Sequence, residues 1–242
     1  MTGGHLIWDT HIHIVPGVDD GARTVAEALE MLRMEKRQGV DWVFATPHSM
    51  AYDYEAGNVK RSFAELETAV QEARIDINLR LGCEMFCHPS NVAACIDKMK
   101  KGIYPSFGQY VLTELPTYGI DPSDAMFCVK KLREEGYVPI LAHVERYEFT
   151  NLKSISLLRE KGALVQVNAY SLSSMASSST RKLVSELTKF GMVDFIGSDA
   201  HRLDHRPPVI EEGVKRLLNL TSEEQAMWIL SGNPKSRLLM HC

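Results

Sequence analysis

A chain of 242 residues with 45% hydrophobic and 24% charged residues has ordinary globular composition, which excludes disordered, fibrous and membrane classes; the length admits one large α/β barrel or two small domains. A net charge of -4 argues against a general electrostatic grip on nucleic acid. No apolar run approaches the roughly 18 to 20 residues that span a bilayer, and the N-terminus lacks a basic segment followed by an apolar one, so a cytoplasmic location is expected.

Short β-branched runs alternate with longer segments of helical period, the pattern of repeated βα units around a parallel sheet. The first predicted strand, Leu6–Thr10, runs into "DTHIHIVPGVDDG" (Asp9–Gly21), which carries His11, His13 and Asp20, with Asp19 read as a turn residue. After a helix over Val25–Gln38 comes a strand at Trp42–Ala45, followed by His48 in "ATPHS" and a helix at Asn58–Arg74. The third strand, Asn78–Cys83, is followed by Glu84 and a helix at Ser90–Lys100, and the fourth, Tyr110–Glu114, ends on Glu114. A helix over Pro122–Glu135 leads to a strand at Val138–Ala142 and to His143 in "AHVERY". A helix at Leu152–Lys161 leads to a strand at Leu164–Asn168, which alone ends without a strong ligand. The helix Ser179–Phe190 leads to the last strand, Phe195–Ser198, followed by Asp199 and His201 in "SDAH"; short helices near Val209–Leu218 and Ser222–Leu230 complete the chain. Gly39, Gly136, Gly162 and Gly191 each stand just past a helical pattern, where a left-handed residue is wanted. No linker or low-complexity tract divides the chain, so one domain over 1–242 is expected. The five cysteines, Cys83, Cys87, Cys95, Cys128 and Cys242, form no Cys-x-x-Cys pair and read as reduced, mostly buried thiols.

This alternation is shared by an open doubly wound sheet and a closed barrel, and periodicity does not separate them. The placement of the polar residues does. In a (β/α) barrel the C-terminal strand ends converge on one rim, where active sites of that architecture lie, whereas the outer strands of an open sheet stand too far apart to share a site. Taken singly, each residue has a bland reading: a strand-end histidine as a satisfied cap, a glutamate paired with a buried Arg or Lys, an Asp capping the next helix. Together, the bland reading needs many coincidences, all of ligand type and all on one rim. Imidazole and carboxylate without thiolate suit manganese, iron or zinc, and there are more donors than one ion takes, so two or three ions bridged by carboxylates are expected.

These residues resemble the polymerase and histidinol phosphatase (PHP) superfamily. "DTHIHIVPGVDDGART", "ATPHS", "AHVERY", "QVN" and "SDAHRLDHRPP" resemble, more closely, the bacterial manganese-dependent tyrosine phosphatases of capsule and exopolysaccharide operons, from Asp9 to "GNPKSRL" near the C-terminus. The resemblance implies a distorted (β/α)7 TIM-like barrel with a trinuclear centre. One metal would be surrounded by His11, His13, Glu84 and Asp199, a second by Glu84, Glu114 and His143, and a third by Asp20, His48 and His201. Arg146 and Arg206 match the arginines that bind phosphate, and His201 or a coordinated water would protonate the leaving group. The implied reaction is attack of a metal-bound hydroxide on a phosphotyrosine ester, with manganese first among the metals. The implied substrate is the tail of a bacterial tyrosine autokinase.

No cysteine precedes an arginine by the six positions of a thiolate phosphate loop; Cys128 and Arg133 are one position too close. Two rivals remain at this point: a small-metabolite phosphatase such as histidinol phosphatase, and a non-catalytic metal-binding or docking module. Oligomeric state is not legible.

Overall fold

A computed structural model describes residues 6–239. Its strands are β1 (Ile7–Ile12), β2 (Val40–Ala45), β3 (Asn78–Leu81), β4 (Glu84–Phe86), β5 (Tyr110–Glu114), β6 (Val138–Leu141), β7 (Leu164–Asn168) and β8 (Phe195–Gly197). Between and after them run helices α1 (Val25–Arg37), α2 (Ser49–Glu72), α3 (Val92–Lys100), α4 (Pro122–Glu134), α5 (Leu152–Glu160), α6 (Ser178–Lys189), α7 (Glu211–Leu220) and α8 (Glu223–Met227).

All strand pairs are parallel, in the orders β1-β2-β3 and β4-β5-β6-β7-β8. Two seams turn these sheets into a ring. Between β8 and β1, the Asp199 amide donates to the His11 carbonyl at 2.8 Å and the His13 amide to the Ala200 carbonyl at 2.9 Å. Between β2 and β4, the Glu84 amide reaches the Pro47 carbonyl at 3.0 Å. The single predicted strand Asn78–Cys83 is therefore split: β3 pairs with β2, and β4 pairs with β5. Gly82 lies at the break, where an added Cβ would stand 2.2 Å from the Phe107 ring. That ring lies under the split and no side chain fits between them. Counting β3 and β4 as one turn of the barrel, the fold is the distorted seven-unit (β/α) barrel expected.

Trp8, Phe44, Leu112, Ile140 and Phe195, from five strands spread round the ring, belong to one buried cluster with Phe107. Residues so distributed meet only inside the ring, so this cluster is the barrel's interior plug. A larger cluster, with Met31, Leu32, Leu66, Leu132, Leu158 and Leu187, lies between strands and helices. Helix starts follow their caps: Thr24, Asp121, Asn151 and Ser177 each accept a first-turn amide. The four glycines after helices all take positive φ, from 66° to 92°.

Helix α2 begins at Ser49, nine residues before the predicted Asn58. Its first turns, "SMAYDYEAG", interleave helix formers with Ser, Asp and two Tyr and end on a glycine, so local propensity under-reports a helix held by tertiary contacts. Cys83, Cys87, Cys95 and Cys128 are free and buried, and Cys242 lies outside the described residues. Among the described residues no helix is long and apolar enough to cross a membrane.

Candidate metal centre

Every residue named from the sequence as a ligand reaches the same end of the barrel. Glu84, at the first position of β4 and 1% exposed, stands at the middle. Its Oε1 lies 2.9 Å from His143 Nε2 and 3.3 Å from His11 Nε2; its Oε2 lies 2.9 Å from His48 Nδ1 and 3.3 Å from His13 Nε2. Glu114 approaches His143 Nε2 at 3.5 Å and His48 Nδ1 at 4.0 Å. Asp199 Oδ1 lies 3.6 Å from His11 Nε2 and 3.7 Å from His13 Nε2. Asp20 folds back from its loop, with Oδ1 3.4 Å from His48 Nε2 and 3.5 Å from His201 Nε2. Donor atoms lie within 4.8 Å of one another in four overlapping groups: His13, Asp20, His48 and His201; His11, Glu84 and His143; His11, His13 and Asp199; His48, Glu84 and Glu114.

The rings are aimed by residues behind them. His13 Nδ1 donates to Asp19 Oδ2 at 2.8 Å, His11 Nδ1 to Gln166 Oε1 at 3.3 Å, and His201 Nδ1 to the Asp199 carbonyl at 3.0 Å. Each bond fixes the proton on Nδ1 and leaves the Nε2 lone pair facing the cluster, the arrangement that outer partners impose on metal-binding histidines. Gln166 also accepts the His143 amide at 2.7 Å, and Asn168 Nδ2 donates to Asp199 Oδ2 at 2.9 Å. So β7, which has no ligand, orients those of its neighbours. At the seam between β8 and β1, buried Asp9 accepts the amides of His11 at 3.1 Å and Ser198 at 2.8 Å, which ties the two ligand-bearing strands together.

Asp19 is not the simple turn residue expected. Besides His13 it accepts the His48 amide at 3.0 Å and the Gly21 amide at 3.0 Å. Burial pushes its carboxyl up, but the neighbouring His13 charge and these hydrogen bonds bring it down to about 2. The turn is also tighter than a flexible one, since a Cβ on Gly21 would stand 2.1 Å from the His13 carbonyl oxygen. Asp19→Ala is expected to weaken metal binding about 10- to 100-fold by freeing the His13 ring, measured by competition against a chromophoric chelator.

The electrostatics fit a cation. Burial pushes the His11, His13 and His48 rings down, yet the surrounding carboxylates raise all three, His13 furthest. Burial likewise pushes Glu84 up, and the charges and hydrogen bonds of His11, His13 and His143 hold it well below the carboxylate range. The pocket therefore favours positive charge at the positions the ring nitrogens face, and protons on the rings and divalent ions are alternative ways to supply it. His201 differs: burial, His13 and Arg206 push it down to about 2, so it is a neutral ring. Glu114 is raised by burial and by Glu84 beside it, so a cation at this end of the barrel would favour its charged form.

Arg146 and Arg206 converge on Asp199. Arg146 donates to Asp199 Oδ2 at 3.2 Å; Arg206 forms an ion pair with the same oxygen and donates to His201 Nε2 at 3.3 Å. Both are partly exposed, at 42% and 34%, so their guanidinium forks stand at the rim. His143, Asp199 and Arg206 have φ of 31°, 53° and 58°. Left-handed backbone at non-glycine residues is costly, and its gathering here marks a geometry enforced by the surrounding structure.

Solved structures resemble this chain at two levels. An amidohydrolase from Mycoplasma synoviae covers 98% of this chain and 88% of its own at a TM-score of 0.60 and 13% identity, a likeness of barrel alone. A structure described with YwqE from Bacillus subtilis and CpsB from Streptococcus pneumoniae, metal-dependent tyrosine phosphatases, covers 97% of this chain and 95% of its own, at a TM-score of 0.85 and 27% identity. In sequence, CapC of Staphylococcus aureus is 32% identical over 84% of this chain and 80% of its own length, and the tyrosine-protein phosphatase YwqE of Bacillus subtilis is 28% identical over 82% and 78%. A profile of the CpsB/CapC proteins of capsular polysaccharide synthesis matches residues 7–239, nearly the whole barrel with both of its seams, and the chain belongs to that family.

Proposed function

We propose that this chain is a metal-dependent protein tyrosine phosphatase of capsule or exopolysaccharide synthesis, one PHP-type domain working in the cytoplasm on the tail of a bacterial tyrosine autokinase. The observation that carries the reading is Glu84, buried among four imidazole nitrogens, beside two arginines that share one carboxylate oxygen at the rim. The names of CpsB and YwqE, which describe tyrosine phosphatases, support it.

The donor groups support two or three divalent ions, manganese first, with iron or zinc accepted by the same ligands. His11, His13, Glu84 and Asp199 would hold one, Glu84, Glu114 and His143 a second, and Asp20, His48 and His201 a third. Bound there, such ions would supply Lewis acidity for activating water and positive charge to offset the phosphoryl oxygens. The protein's own residues do the rest. Arg146 and Arg206 bind phosphate oxygens as planar forks whose charge does not titrate. Asp199 keeps both forks at the rim before substrate arrives. Asp20, 65% exposed on its loop, is the most solvent-exposed of the three residues that would hold the third ion. His201 has its one ring proton committed to the Asp199 carbonyl, so we assign it to metal binding rather than acid catalysis. A tyrosyl group leaves as a phenolate of pKa about 10 and has little need of a strong acid.

The test is a comparison of kcat/KM on a phosphotyrosine peptide and on histidinol phosphate with manganese present. At least tenfold preference for the peptide is expected. The reverse preference would make the chain a small-metabolite phosphatase, and no turnover of either would make it a binding module.

A further inference from the structure

A groove of about 570 Å3 opens beside the metal centre, between the loop after β1 and the first turns of α2, with Val18, Asp20, His48, Met50, Tyr54 and Asn58 among its lining. We propose that this groove binds the peptide that flanks the phosphotyrosine, seating an apolar or aromatic side chain two or three positions away against Met50 and Tyr54. The proposal rests on the phosphatase reading above.

The groove is continuous with the centre, because Asp20 and His48 belong both to its wall and to one ligand group. Its volume is several times that of a phenyl ring and falls in the range of roughly 300 to 1,000 Å3 usual for ligand pockets, so it takes more than the phosphotyrosine ring. Among the described residues no lysine or arginine lines it, and its two carboxylates are committed elsewhere, Asp19 to His13 and two backbone amides and Asp20 to a ligand group, whereas Arg146 and Arg206 both stand on Asp199. Phosphate thus belongs with the arginines, and the groove suits an uncharged stretch of the substrate.

Spacing sets the register. Met50, Tyr54 and Asn58 recur every four residues and form one stripe along α2. Tyr54 lies six residues beyond His48, about 9 Å at about 1.5 Å per helical residue. An extended peptide covers that distance in two or three residues at about 3.3 to 3.6 Å each.

The exposure of the stripe is built in rather than a frayed end. Tyr52, on the opposite side, donates to the Gly82 carbonyl at 2.6 Å, and Asp53 is held by Lys98 Nζ and Tyr104 Oη, each at 2.6 Å. With both neighbours pinned to the barrel and α3, Met50 at 62% and Tyr54 at 80% exposure stay turned to solvent. Large apolar side chains held in the open beside a catalytic rim mark a contact surface.

Kinetics of the full chain with manganese test this, using the phosphotyrosine peptide and p-nitrophenyl phosphate, which has no flanking residues. In Tyr54→Ala and in Met50→Ala the ratio of peptide to p-nitrophenyl phosphate kcat/KM is expected to fall about tenfold, mostly through peptide KM. Wild type is expected to prefer leucine or phenylalanine over glycine two or three positions from the phosphotyrosine, and Tyr54→Ala to lose that preference. An unchanged ratio, or equal losses on both substrates, would overturn the proposal while leaving the phosphatase reading intact. A wild-type protein inactive on both would overturn that reading instead.

Discussion

Glu84→Gln is expected to lower kcat/KM on a phosphotyrosine peptide by about a thousandfold or more and to remove at least one metal ion per chain. The size follows from position. Both carboxylate oxygens are engaged, each with two histidine nitrogens at 2.9 to 3.3 Å, so Glu84 joins the His11 and His143 side of the cluster to the His13 and His48 side more closely than Asp199 or Glu114, which span the same sides at 3.5 to 4.0 Å. An amide keeps the shape but loses the charge and turns one oxygen into an N–H donor. Several kcal/mol of metal-derived transition-state stabilisation then disappear, and each 1.36 kcal/mol is tenfold in rate. Elemental analysis and a melting curve separate this from general damage. Ions that bind only the folded chain raise its melting temperature, so chelation is expected to lower it in wild type and to have a smaller effect in Glu84→Gln. A variant that keeps its metal content and stays within tenfold of wild-type activity would show that Glu84 does not bridge.

The contrast between Glu84 and Asp19 shows what the sequence discloses. Glu84 is legible because a carboxylate after an apolar strand needs a strong partner, and its partner types recur at the other strand ends. Asp19 has the same chemistry, but its role depends on His13 Nδ1 and the His48 amide, one of them 29 residues away, and a proline-glycine-rich turn offers a sufficient local account of it. Gln166 is hidden for a related reason. An amide inside a β-branched run reads as a tolerated polar residue until β1 and β6 bring His11 and the His143 amide to it. Ligands follow from residue type and strand phase, which are local; the groups that aim them follow from register across the ring, which is not. The fold divides the same way. Strands β5 and β7 match their predicted limits because both ends carry punctuation. The split between β3 and β4 depends on a ring from residue 107, and the early start of α2 on tethers to Gly82 and Lys98.

Arg206→Ala is expected to cost about 100- to 1,000-fold in kcat/KM on the same peptide, the usual loss when one preorganised donor to a developing oxyanion is removed. Arg206 is the better placed of the two arginines. Its φ of 58° and the 2.9 Å bond from the His201 amide to its own carbonyl close the loop after β8, so the guanidinium is returned toward the cluster by backbone geometry. It spans Asp199 and His201, whereas Arg146, more exposed, makes one 3.2 Å bond to Asp199. Arg146→Ala should therefore lose less, and the double variant should lose less than the product of the single losses, since both forks share one oxygen and one phosphate. Arg206→Lys keeps the charge but not the fork, and recovery of only part of the activity is expected. Because Arg206 supplies no ligand atom, its loss should leave the metal content near that of wild type and appear in turnover. A loss that tracked departing metal would instead place Arg206 behind Asp199 and His201 as their support, with phosphate binding left to Arg146.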